Sequence, residues 1–317
     1  MSDSRLIHVA AAVIVDEQQR ILIARRPDDK HQGGLWEFPG GKVESGEPVQ
    51  MALSRELDEE LGIQVEQARP LIRISHHYPD KSVLLDVWKV TGFAGTAHGR
   101  EGQPVQWVSA GELCNYTFPA ANRPIVKAAQ LPPRLWITGA LDSIELSTLK
   151  HNIAIAAERG PCQFMLRDPA LDEARLAQIY RQLKPWCDAN GYPLILNASV
   201  ELANELNADR LHLSSARLNE LESRASFSGT WLSASCHNET ELNRTAELGL
   251  DFVTLSPVAL TASHPDAEPL GWPRFYGLTE QAVIPAYALG GVGEVDLAEA
   301  WQQGGQGIAS ISDWWRS

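Results

Sequence analysis

Two domains of different class are predicted from this sequence: an α+β domain with a mixed sheet over residues 1–130 and an α/β barrel of the (βα)8 type over residues 135–317, joined at 131–134. Three observations carry this. A chain of 317 residues is long enough for two domains that each bury a core. Its first part groups strand-like runs around one strongly acidic helix, as an α+β domain does. Its second part repeats short β-rich runs separated by stretches of helical period, the pattern of a compact barrel. With 44% hydrophobic and 21% charged residues, the chain falls in the globular class and outside the disordered one.

In the first domain, "HVAAAVIV" and "RILIARR" read as two strands joined by the polar turn at 16–19. The acidic segment bounded by Pro and Gly reads as a helix at about 48–61, and "SVLLDVWKV" and "VQWVS" read as further strands. A short helix at about 122–130 closes the domain, and "LPPR" at 131–134 is a stiff polar boundary. Beyond it, "LWITG", "QFMLRD", "PLILNA", "RLHLSS", "WLSAS", "FVTLSPV", "IPAYAL" and "GIASI" supply the strands of the barrel.

The formal charge of −13 is uneven, with 14 basic against 17 acidic residues in 1–133 and 13 against 23 in 134–317. That balance argues against stable nucleic-acid binding. The apolar run near the start is about eight residues long and flanked by acids, so it reads as a strand and not as a signal peptide. No run approaches the roughly 18 apolar residues of a membrane span. Cys114, Cys162, Cys187 and Cys236 show no CxxC pair or metal-ligand spacing, so isolated thiols are expected. A cytoplasmic protein with no membrane association follows, and its oligomeric state is not legible.

The acidic helix calls for a chemical explanation, because like charges at i, i+4 destabilise a helix by a few tenths of a kcal/mol per pair. Glu56, Glu59 and Glu60 stand at i, i+3 and i+4, so their carboxylates share a face, with Glu47 and Arg55 beside them. Gly40 and Gly41 precede the helix in what reads as a tight loop able to offer carbonyl oxygens to the same ion. Hard oxygen donors suit Mg²⁺, with Mn²⁺ as the alternative, better than zinc.

Gly41, Glu47, Arg55, Glu56, Leu57, Glu59, Glu60, Gly62 and Ile63 fit every fixed place of the Nudix box, GX5EX7REUXEEXGU. The first domain thus resembles the Nudix hydrolases, and "LWEFPGGK", "HGREGQPVQW" and "FPAANRPIV" resemble the MutT-type 8-oxo-dGTP diphosphatases in the same order. The resemblance implies a Mg²⁺-dependent enzyme of nucleotide-pool sanitation that hydrolyses 8-oxo-dGTP to 8-oxo-dGMP and pyrophosphate, with a small-molecule nucleotide as its partner. It implies that Gly40, Gly41, Glu56, Glu59, Glu60 and Glu101 hold the metal, that Glu59 or Glu101 takes the proton from water, and that Arg55 orients the glutamates. It places Arg25, Glu37, Phe38 and Asn122 at the nucleotide, with the Asn122 amide reading the purine edge. Three of these have bland alternatives: Arg25 as a strand surface residue, Asn122 as a helix N-cap, Glu101 as a loop charge. Other nucleoside diphosphate-linked substrates stay open, because the box specifies the pyrophosphate chemistry alone.

The second half resembles the thiamine phosphate synthase and TenI group through "RGPCQFMLRD", "RLHLSS" and "IPAYALGGVGEVDLAEAWQQGGQGIASIS". Against that family's pattern, Arg167 is kept, while the lysine and glutamine places hold Pro169 and Met165. The two carboxylates expected to hold magnesium-diphosphate fall on Ala198, beside Asn197, and on Arg217. Gly290, Gly291, Ser310 and Ser312 remain as a candidate phosphate site for a phosphorylated ligand, or as turn residues. His212 and His237 read as packing or hydrogen-bonding residues. The expectation is a degenerate, regulatory or ligand-binding barrel, with a bifunctional hydrolase and synthase as the alternative.

Overall fold

The computed structural model describes residues 6–29, 32–77, 82–261 and 268–315, without the side chains of His76 and His77. The chain divides into two compact units, Met1–Leu131 and Pro132–Ser317. In the segment expected to join them, Leu131 is buried in the first unit's helix end, while Arg134 already begins a strand of the second.

In the first unit the strands are β1 (Leu6–Ile14), β2 (Arg20–Arg25), β3 (Trp36–Glu37), β4 (Gly40–Lys42), β5 (Gln64–His77), β6 (Ser82–Ala94) and β7 (Val105–Ser109), with helices α1 (Val49–Leu61) and α2 (Arg123–Gln130). One sheet runs β4-β1-β6-β5 and another β3-β2-β7. β1 pairs parallel with β6 and antiparallel with β4, so the sheet is mixed. The run "AAAVI" is apolar throughout because β1 is covered on both faces: Ala10, Ala12 and Ile14 meet α1, while Ala11 and Val13 meet the cluster that contains Ile125 and Ala128 of α2. β1 and β2, adjacent in sequence, end in different sheets and are bridged at Val15 and Ile21. β5, the longest strand, escapes a sequence reading because Pro70, its charged residues and three register shifts against β6 break the alternation of period two.

The second unit is a closed parallel barrel: β8 (Arg134–Ile137), β9 (Cys162–Leu166), β10 (Leu194–Asn197), β11 (Arg210–Leu213), β12 (Trp231–Cys236), β13 (Phe252–Leu255), β14 (Ala286–Leu289) and β15 (Gly307–Ser310). All eight expected strands are present. Between them lie α3 (Leu146–Ala157), α4 (Glu173–Ala189), α5 (Val200–Glu205), α6 (Ser215–Glu220), α7 (Glu239–Leu248), α8 (Gly271–Gln281) and α9 (Leu297–Gln302). Among the described residues no helix is long and apolar enough to cross a membrane.

Candidate active site

α1 can carry its carboxylates because its other side is secured by apolar burial. Ala52, Leu53, Leu57 and Leu61 are buried against β1 and β6, which turns Glu56 and Glu60 toward β4 and leaves Glu59 exposed. Gly40 and Gly41 are not in a loop, as the glycine-rich sequence suggests, but in β4, paired with Ala11 and Ala10. Gly40 is sterically required by the backbone beside it, and Gly41 leaves the space that the Glu56 carboxylate occupies. A Cβ on Gly40, at φ +144°, would stand 2.1 Å from the Ala10 carbonyl oxygen, and one on Gly41 would stand 2.1 Å from Glu56 Oε2.

Arg55 organises the cluster. Its Nε and Nη2 donate to the two oxygens of Glu47 at 3.0 and 2.9 Å, its Nη1 donates to Glu56 Oε1 at 2.8 Å, and its Nη2 also reaches the Lys42 carbonyl at 3.1 Å. The contact with Glu59 is longer, at 3.5 Å. The hydrogen bonds from Arg55, and then the Glu44 N–H, hold the Glu47 carboxyl below its ordinary range, while Arg55 itself is raised.

The segment that carries Glu101 docks on the C-terminal end of α1, where the helix leaves carbonyls without intrahelical donors. His98 N–H donates to Leu61 O at 3.1 Å, Arg100 N–H to Glu60 O at 2.9 Å, and Arg100 Nη1 to Asp58 O at 2.7 Å. Gln103 bridges the two acid-bearing segments: its Nε2 donates to Glu60 O at 3.0 Å and its Oε1 accepts the Glu101 N–H at 2.9 Å. Gln103 and Arg100 are site-building residues that sequence reasoning passed over, although both lie within "GREGQP".

Glu60 records the resulting charge. Burial is the main reason its carboxyl is pushed up to about 7; the Gly40 N–H, 3.1 Å from Oε2, opposes the shift, and Glu37, Glu56 and Glu101 add repulsion. The full set expected to hold a metal is not gathered: among the described residues no three His, Cys, Asp or Glu side chains stand in a coordinating arrangement. Arg55 supplies the counter-charge for Glu56 and reaches Glu59 at 3.5 Å, while Glu60 accepts from the Gly40 N–H. The residues nevertheless fit a hard divalent cation. The donors are all oxygen, and the excess negative charge around half-buried Glu60 is what such an ion would neutralise.

One consequence is measurable without activity. Because the folded carboxyl lies above its ordinary 4.5, its stabilising contribution is complete below that value and is lost as pH rises through about 7. In chelator, Glu60→Gln is therefore expected to melt several degrees above wild type at about pH 8, with the gain vanishing below about pH 4.5. Glutamine keeps the acceptor for the Gly40 N–H. Equal melting temperatures at the higher pH would contradict the burial penalty.

The four residues expected at the nucleotide are in four different situations. Arg25 holds the loop after β2, with Nε on the Gly34 carbonyl at 3.2 Å and Nη2 on Asp28 at 3.1 Å. Glu37 is ion-paired with Arg26, yet burial raises its carboxyl more than the arginine lowers it. Phe38 is packed in the core and stacks on Phe118 at 5.4 Å, so its ring is not available to a base. Asn122 precedes α2, but its side chain makes no capping hydrogen bond, so the N-cap alternative does not account for its amide.

In the barrel, Gly290, Gly291, Ser310 and Ser312 line one cavity of about 650 Å³ together with Arg167, Arg217, His212 and His237. His212 is buried between the Ser233 and Ser235 hydroxyls, each at 2.9 Å, and His237 Nδ1 meets the Ser256 carbonyl at 2.7 Å. Both histidines are thus engaged in hydrogen bonds.

Comparison with known proteins divides the chain in the same way. A family model described as NUDIX domain matches residues 10–128, and one described as Thiamine monophosphate synthase matches residues 136–313. The 8-oxo-dGTP diphosphatase of Escherichia coli (strain K12) is 38% identical over 120 residues, covering 38% of this chain and 93% of that protein. The CTP pyrophosphohydrolase of the same organism is 38% identical over 124 residues, covering 39% of this chain and 91% of that protein. A putative thiamine-phosphate synthase of Geobacter sulfurreducens is 32% identical over 149 residues, covering 46% of this chain and 70% of that protein.

Proposed function

The chain belongs to the Nudix family through its first unit and to the thiamine monophosphate synthase family through its second, and from that premise we propose that this nucleotide pyrophosphohydrolase acts on 8-oxo-dGTP. The products would be 8-oxo-dGMP and pyrophosphate: water adds its oxygen to phosphorus, the bridge between the α- and β-phosphates breaks, and one proton is released to a carboxylate.

Glu56, Glu60 and Glu101, with backbone oxygen of the Gly40–Gly41 strand, would hold Mg²⁺ or Mn²⁺, which when bound supplies charge neutralisation on the phosphates and acidifies water. The protein's own part is positional. Arg55 fixes Glu56 and Glu47, while Gln103 fixes the spacing between the Glu60 and Glu101 backbones. Glu59 and Glu101 are the candidates for taking the proton, because Glu59 meets Arg55 only at 3.5 Å, whereas Glu56 and Glu60 accept hydrogen bonds at 2.8 and 3.1 Å.

The observation that carries the substrate reading is the Asn122 amide. It offers a donor and an acceptor, and it is not used up by its own helix. Oxidised guanine differs from guanine in gaining an N–H and a carbonyl, the groups that one amide can meet. Asn122→Ala is expected to lower kcat/KM for 8-oxo-dGTP by about 10–100-fold while changing that for dGTP little, since a lost base-edge hydrogen bond costs roughly 1–3 kcal/mol only where it was made. Equal losses on both nucleotides would contradict the role.

For the barrel we propose a ligand-binding module without synthase activity. Ala198 is buried and Arg217 stands at the strand ends where the family's metal carboxylates would be. Gly290 and Gly291 need no ligand to explain them, because Pro257 and the Leu260 carbonyl approach within 2.8 and 2.4 Å of where their Cβ atoms would lie.

A further inference from the structure

Glu101 stands in a closed loop between Gly99 and Gln103. Gly102 N–H donates to Gly99 O at 3.2 Å, and Glu101 N–H donates to Gln103 Oε1 at 2.9 Å. A Cβ on Gly99 would stand 1.9 Å from the Gln103 carbonyl oxygen, so the ends of the loop touch. Both ends also meet one acceptor on α1: the Glu60 carbonyl receives the Arg100 N–H at 2.9 Å and Gln103 Nε2 at 3.0 Å. A carbonyl has two lone pairs, and this one gives both to the loop.

The attachment works against electrostatics, because the Glu101 charge is among those that repel the Glu60 carboxyl. Two acids held close in spite of their repulsion are prepared for a shared positive ion, since the repulsion exists before the ion arrives and binding relieves it. Gln103 suits this task because its amide is used at both ends. The donor faces a carbonyl and the acceptor faces an N–H, so the partners dictate its orientation. Methionine would match its length and make neither hydrogen bond. We infer that Gln103 is a positioning residue that holds Glu101 beside Glu60 and thereby sets the affinity of the first unit for a divalent cation, acting through the Glu101 carboxylate. This rests on the reading of Glu101 as a cation-holding residue.

The test is calorimetric titration of the full-length, metal-stripped protein with Mn²⁺ in the absence of nucleotide. Wild type is compared with Gln103→Met, Glu101→Gln and the double variant, each shown by its melting curve to be folded. Gln103→Met is expected to weaken Mn²⁺ binding on the order of 10–100-fold, the usual effect of removing a group that orients a ligand. In the Glu101→Gln background the same substitution is expected to have no further effect, because there is no carboxylate left to position. Hydrogen exchange in EDTA gives a measurement on the wild type alone: the Glu101 amide is expected to be protected although the residue is exposed. Additive losses in the double variant, wild-type affinity in Gln103→Met, or an unprotected Glu101 amide would each overturn the positioning role and leave Glu101 as a cation-holding residue. Undiminished Mn²⁺ binding by Glu101→Gln would overturn that reading and the inference with it.

Discussion

Glu56→Gln is expected to lower kcat by about a thousandfold or more at saturating Mg²⁺, with little change in the melting temperature of the metal-free protein. In the proposed assembly the Glu56 carboxylate anchors the cation, so that its removal forfeits several kcal/mol of charge stabilisation in the transition state, and about 4 kcal/mol is a factor of a thousand. The fold should survive because glutamine is isosteric and can still accept from Arg55 Nη1, which now stands 2.8 Å from Oε1. The Glu56 carboxylate lies where a Cβ on Gly41 would be. Steady-state kinetics on purified protein decide the matter. Retention of more than a tenth of wild-type activity would remove Glu56 from the catalytic assembly.

The second large effect is an absence. The full-length chain is expected to form no thiamine phosphate from the pyrimidine diphosphate and thiazole phosphate substrates, even in excess Mg²⁺. Such a synthase must release diphosphate, a leaving group that needs a cation held by carboxylates. The places that the resemblance assigns to those carboxylates hold buried Ala198 and Arg217, and no Asp or Glu among the described residues lines the mouth. Turnover detected by chromatography of the products, or rescue of a strain that lacks its own synthase, would contradict this and restore a bifunctional enzyme.

The parts of this molecule that could be read from sequence are those in which spacing alone defines the chemistry or the packing. The Nudix box is of that kind, because GX5EX7REUXEEXGU fixes which residues share a helix face. So are the barrel strands, since each is a short β-rich run closed by polar residues. What escaped depends on contacts made across distance. β4 looks like a loop because glycines at 40 and 41 have no strand propensity, and only the close approach of the Ala10 backbone shows why glycine is required at 40. Gln103 reads as an ordinary loop residue until its amide is seen to join Glu60 to Glu101. Phe38 sits in a motif that suggests the nucleotide, but its ring is committed to Phe118, a residue 80 positions away in the chain. The Arg134–Glu294 ion pair, which ties the first barrel strand to the turn after β14, spans a separation of 160 residues that no local pattern reveals.

Relatives named for two different nucleotides share the same 38% identity with this chain, so similarity does not choose between them. The most direct test of the proposed activity is kcat/KM for 8-oxo-dGTP, dGTP and CTP, measured side by side with Mg²⁺ and with identification of the monophosphate and pyrophosphate products. The proposed contact between the uncommitted Asn122 amide and the base predicts that 8-oxo-dGTP is preferred over both of the others by at least about tenfold, the discrimination of one well-made hydrogen bond. A preference for CTP, or equal turnover of dGTP and its oxidised form, would contradict it.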